Sequence, residues 1–147
     1  MKQVGDDKRH QRAWLLLVAT LAIHVADEAL TGFLDFYNPL VRQIRTRWTW
    51  FPMPTFTFDV WLIGLIVLVI LLTLLAPVIR QGGWVAAVFS WIFSSIMLLN
   101  GLGHLAGSVY FQQWLPGASS APLLLAFSLL LMRRTWERQS LPHASAG

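Results

Sequence analysis

An imidazole and two carboxylic acids, His24, Asp27 and Glu28, stand close together inside an apolar run over 13–36. On a helix His24 and Glu28 fall one turn apart on one face, Asp27 lies one residue round, and Thr31 and Asp35 extend the stripe. An acid at membrane depth costs about 3 kcal/mol, so the cluster costs about 5–9 kcal/mol unless its members find partners. A second pair, Asn100 and His104, is again spaced by four, in a later apolar run over 84–111.

Two chemistries suit these residue types. In the first, His24, Asp27, Glu28 and His104 ligate a divalent metal such as Zn²⁺ or Fe²⁺, whose charge offsets the desolvated acids. Asn100 then supports the ligands or touches the substrate, and the metal activates water or polarises a carbonyl. In the second there is no metal, and a protonated acid beside a neutral base serves a proton shift or a hydrolysis on a small lipophilic substrate.

The elements that must position these groups are membrane spans. The chain is 56% hydrophobic and 12% charged, with room for one domain in 147 residues. The fold expected is an all-α integral membrane bundle of four transmembrane helices over 13–36, 59–80, 84–111 and 119–132, with polar tails at 1–12 and 133–147. The first run outlasts a signal-peptide core, so it is read as a span. Pro39 and Asn38 before it disfavour further helix, so 37–58 is expected as a loop. The second span is almost pure Leu, Ile and Val and is expected to be the most lipid-exposed. The third carries small residues, among them Ser90, Ser94, Gly101 and Gly107, that permit close helix approach. Arg133 and Arg134 are expected to stop the fourth.

Four spans put Lys2, Lys8, Arg9, Arg12, Arg80, Arg133, Arg134 and Arg138 on one side, against Arg42, Arg45 and Arg47 on the other. The positive-inside rule therefore predicts cytoplasmic termini. Helices one and three then run the same way, and Glu28 and Asn100 lie about 22 and 24 Å from their cytoplasmic ends, so the two clusters are expected to meet. They do so in one half of the bundle, with helices two and four supplying almost nothing. His10 and His143 read as tail residues, Asp35 as a solvated helix end, and Tyr37 and Tyr110 as interface aromatics.

Several classes are excluded. With no cysteine there is no disulfide, thiolate ligand or cysteine nucleophile. No GxSxG, Walker or dinucleotide fingerprint occurs. The formal charge of +4 and the arginines among Trp48, Trp50, Phe51, Phe56 and Phe58 fit an interfacial aromatic belt rather than a nucleic-acid surface.

His24-x-x-Asp27-Glu28 in an early span, Asn100-x-x-x-His104 in a later one and Trp114-x-Pro116-Gly117 before the last resemble the HXXEE family of small bacterial membrane proteins. That family is named for His-x-x-Glu-Glu, followed by a second histidine and Tyr-x-Pro-Gly. Here Asp27 replaces the first glutamate, keeping charge but shortening the reach, and Trp114 replaces the tyrosine, losing the hydroxyl. The resemblance implies an enzyme of the bacterial inner membrane without a settled reaction. On that basis His24, Asp27, Glu28 and His104 are the catalytic or metal-binding candidates, and Asn100 and Trp114 the substrate-binding ones. Two other classes answer to the same residues: a proton or metal-ion transporter subunit, and a structural protein in which the cluster knots helices together.

Overall fold

The computed structural model describes residues 2–140, with side chains from residue 5 onward. These residues form helices α1 (Lys2–Leu30), α2 (Phe33–Arg47), α3 (Phe58–Leu74), α4 (Ala76–Gln81), α5 (Gly83–Tyr110) and α6 (Ala121–Gln139). Three stretches are long and apolar enough to cross a membrane: Gly5–Leu30, Phe58–Gln81 and Gly83–Tyr110. The second combines α3 and α4, which part at Leu75 because Pro77 cannot donate to the carbonyl one turn back. Side chains of α1 bind on either side of this break, Trp14 Nε1 donating to Leu72 O (2.9 Å) and Gln11 Nε2 to Ala76 O (3.2 Å).

The core lies where α1, α5 and α6 meet, with α3 and α4 laid against α1. Trp14, Leu17, Leu21, Phe93, Met97, Leu124 and Leu131 are buried in it. By contrast Val60, Ile63, Ile66, Ile70, Leu71 and Leu74 of α3 face outward, in line with the exposure expected of that helix. Gly101 permits a close approach of α5 to α6: a Cβ there would stand 3.1 Å from Ala121 O and 3.0 Å from a Leu125 methyl.

Several expectations are corrected. Residues 37–58 are not all loop, because α2 runs through Pro39 to Arg47. Tertiary contacts compensate for the hydrogen bond Pro39 cannot make. The Asn38 amide pairs with the backbone of Phe56 in both directions (2.9 and 3.1 Å), and Tyr37 Oη donates to Pro54 O (2.9 Å). The helix starts afresh at Gly32, whose φ of 76° suits glycine and lets the chain leave the axis of α1, so Asp35 does not extend the stripe of His24 and Glu28.

Neither tail is separate from the bundle in the described residues. α1 is already helical at residue 2, and α6 passes Arg133 and Arg134 to reach Gln139, with Glu137 bound to both arginines at 2.7 Å. His10 is 1% exposed, not a tail residue. Its Nδ1 accepts from Arg138 (3.0 Å) and its Nε2 pairs with Thr135 Oγ1 and Ser90 Oγ (both 3.1 Å). Arg138 also binds Asp7 (2.5 Å) and Ile79 O (3.1 Å), so one guanidinium joins α1, α4 and α6. Buried polar groups therefore occupy both ends of the bundle, not one half. His143 lies outside the described residues.

The fourth apolar stretch is the short one. Twelve residues separate Ala121 from Arg133, about 18 Å of helix, too little for a bilayer core of about 30 Å. The α5–α6 connection explains the shortness. It folds back into the bundle, with Leu115, Ala118 and Ser120 buried. α6 consequently begins beside His24 and Gly101, about 9 Å short of the end of α1 and about 13 Å short of the end of α5.

Candidate functional site

His24 and Glu28 lie in the last two turns of α1, buried against α5 and α6, and His104 lies two turns before the end of α5. The three side chains meet. His104 Nε2 is 3.1 Å and His24 Nε2 is 3.5 Å from the same oxygen, Glu28 Oε1. The imidazoles pack edge to face with centroids 4.8 Å apart, and one ligand atom from each of the three residues falls within 4.8 Å of the others.

Asp27 stands one step away from this group. Its Oδ2 accepts from the Ser120 backbone N–H (3.0 Å) and from Ser120 Oγ (2.7 Å). An acid of α1 thus caps the N-terminus of α6, where the orphan N–H groups and the helix dipole favour negative charge. Ser120 Oγ lies 2.8 Å from His24 Nδ1. Because the serine proton is committed to a carboxylate, which only accepts, the serine oxygen accepts from His24 Nδ1–H. The other nitrogen, Nε2, is then left with a bare lone pair.

The consequence is electrostatic. His24 Nε2 is fully buried and has no hydrogen-bond partner, yet it faces Glu28 Oε1. Two lone pairs facing each other in a dry site need a positive charge between them, supplied by a proton or a cation. Two imidazole nitrogens and a carboxylate form a donor set suited to Zn²⁺ or Fe²⁺. Neighbouring ligands of a tetrahedral zinc lie about 3.3 Å apart. Glu28 Oε1 stands 3.1 and 3.5 Å from the two histidine nitrogens, and the whole donor set lies within 4.8 Å, so an ion would draw each ligand inward by about an ångström or less. The residues fit such an ion.

The connection between α5 and α6 closes over the cluster. Gly117, with φ of 82°, passes so near both imidazoles that a Cβ there would lie 2.8 Å from His104 Cε1 and 2.9 Å from His24 Cε1. Beside His104 a cavity of ≈ 250 Å³ is lined by Phe33 and Phe36 of α2, Asn100 and Gly103 of α5, and Leu115 and Pro116 of the connection. His104 and Asn100 supply its polar side chains.

The structure therefore brings together His24, Glu28 and His104, places Asp27 one hydroxyl behind them, and sets Asn100 in the cavity wall. Trp114 is not among the lining residues. It is 70% exposed and donates from Nε1 to Ser119 Oγ (3.0 Å). Ser120 was missed by sequence reasoning, which expected almost nothing from the fourth span. The available signal was position: a serine just before an apolar helix is a helix-start residue, and it follows the Pro116-Gly117 turn.

A protein-family model described as "Protein of unknown function with HXXEE motif" matches residues 14–131. No curated protein and no solved structure matches the chain. His24-x-x-Asp27-Glu28 is that motif with aspartate at the first glutamate.

Proposed function

The chain belongs to the HXXEE family, and from that premise we propose that it is an integral membrane enzyme in which His24, Glu28 and His104 hold a divalent metal beside a pocket for a small lipophilic substrate. The observation that carries this reading is the buried, unpartnered Nε2 of His24, held facing Glu28 Oε1 by the Asp27–Ser120 chain behind it. A bound cation would supply Lewis acidity for hydrolytic or proton-transfer chemistry. Ser120 and Asp27 keep His24 in the tautomer that presents a lone pair, and Asn100 orients a carbonyl or hydroxyl beside His104. Phe33, Phe36 and Leu115 keep the cavity apolar and exclude water.

In this reading α1, α3 with α4, and α5 cross the bacterial inner membrane, and α6 is a fourth, shorter span. Because α6 starts about 9–13 Å inside the outer ends of its neighbours, its apolar turns have only the remaining depth to cover. Both termini are cytoplasmic, which the excess of basic residues on that side supports. The amphipathic α2 and the stacked Trp48 and Trp50 then lie at the opposite interface, with arginines toward the headgroups.

The test is elemental analysis of detergent-purified wild type beside His24→Ala, Glu28→Ala and His104→Ala. The expected result is a stoichiometric metal in wild type and none in the variants. The 3.1 Å contact between Glu28 and His104 supports one second reading, a metal-free acid–base pair, which metal absent from every sample would select. Ion uptake by proteoliposomes would instead select a transporter, for which the buried polar groups at both ends of the bundle speak.

A further inference from the structure

The cavity beside His104 has a wall formed by an absence. Gly103 lines it, and a Cβ built there meets no atom within 4 Å. The other α5 glycines that point at the connection or at α6 are different: Gly101 and Gly107 are tight against Leu125 and Leu115. Close helix packing therefore accounts for those two and not for Gly103, which is exposed and lines the cavity where it opens to the side of α5. Beyond Gly103 on the same helix, Leu99 and Leu102 face outward.

We propose that Gly103 sets the size of the substrate, and that the cavity takes the reacting end of a neutral lipophile from the side of the bundle, beneath α2. At about 30 Å³ for each non-hydrogen atom, ≈ 250 Å³ admits about eight of them, the size of one substituted ring. Phe33, Phe36 and Leu115 suit an apolar or aromatic group. Asn100, able both to donate and to accept, suits one carbonyl, amide or hydroxyl beside it. Neither lysine nor arginine lines the cavity, so a phosphate or sulfate has no counter-charge there. Whatever part of the molecule exceeds this size stays outside the cavity, along the apolar outward face of α5. The inference rests on the reading of the His24–Glu28–His104 centre as the reactive one.

Gly103→Ala and Gly103→Leu should fill the cavity progressively and leave the three ligands in place, and replacing a mid-helix glycine raises helix propensity. The probe is 4-fluorobenzamide, titrated against detergent-purified protein and followed by fluorine NMR, with metal content read on the same samples. Saturable binding to wild type is expected, weaker in Gly103→Ala, and weaker by about tenfold or more in Gly103→Leu at unchanged metal content. Asn100→Leu, which keeps the volume and removes the amide, should also weaken it. Equal binding by wild type and Gly103→Leu, or no saturable binding by wild type, overturns the proposal. Absence of metal from all samples, with binding lost as expected in Gly103→Leu, overturns the metal centre and upholds the pocket.

Discussion

Ser120 governs which face His24 presents. Its hydroxyl proton is drawn to Asp27, so its oxygen takes the Nδ1 proton of His24 and Nε2 points bare at Glu28. Removing this outer partner should free the His24 ring while leaving the proposed ligand set intact. Ser120→Ala is therefore expected to lower zinc affinity by about 10–100-fold, measured by competition against a chelator, while the protein still purifies folded. Asp27→Asn retains an acceptor oxygen for the serine hydroxyl, so its loss should be smaller than that of Ser120→Ala in the same assay. An unchanged affinity in Ser120→Ala would detach the Asp27 chain from the centre.

Among the elements, the α5–α6 connection and the polar joint at the other end of α1 do separable work. Gly117 has positive φ and no room for a Cβ beside either histidine ring. Gly117→Ala is expected to cost about 1–3 kcal/mol in unfolding free energy and to weaken metal binding as well, because the atoms it strikes belong to the two histidines proposed as ligands. His10 holds Arg138, Ser90 and Thr135 about 21 Å along α1 from His24. Its loss leaves a buried guanidinium edge and two hydroxyls short of a partner. His10→Ala should cost about 2–3 kcal/mol in thermal or denaturant unfolding, with metal stoichiometry unchanged. Metal loss in that variant would mean that the two ends of α1 are coupled.

For the whole molecule, the sidedness of the bundle is the property to measure. A chain without cysteine makes this direct, since each introduced thiol is the only one. Lys8 and Trp50 are both exposed and lie at opposite ends of the assembly. With cytoplasmic termini, Trp50→Cys should react with a membrane-impermeant maleimide in intact spheroplasts, and Lys8→Cys and Arg133→Cys only after permeabilisation. Reaction of Lys8→Cys and Trp50→Cys from the same side would remove the membrane topology. The outward faces of α3 and α5, rich in Ile, Leu and Val, are the surface that lipid would cover.

Spacing and hydropathy alone determined the helical class, the long apolar runs and the meeting of His24 and Glu28 with His104. Four-residue spacing places side chains on one face, and similar depth in two helices brings such faces level. Tertiary structure decided the rest. α2 survives Pro39 because Asn38 binds Phe56 across the following loop, a pairing that no local propensity registers. His10 sits among Lys8, Arg9 and Arg12 and looks solvated by composition, yet it is buried by an arginine 128 residues later. Ser120 has the features of a turn residue by type, and only folding back of the connection carries it to Asp27 and His24, 93 and 96 residues earlier. Local rules reach one or two turns, whereas a buried hydrogen bond is chosen by whichever partner the packed chain delivers.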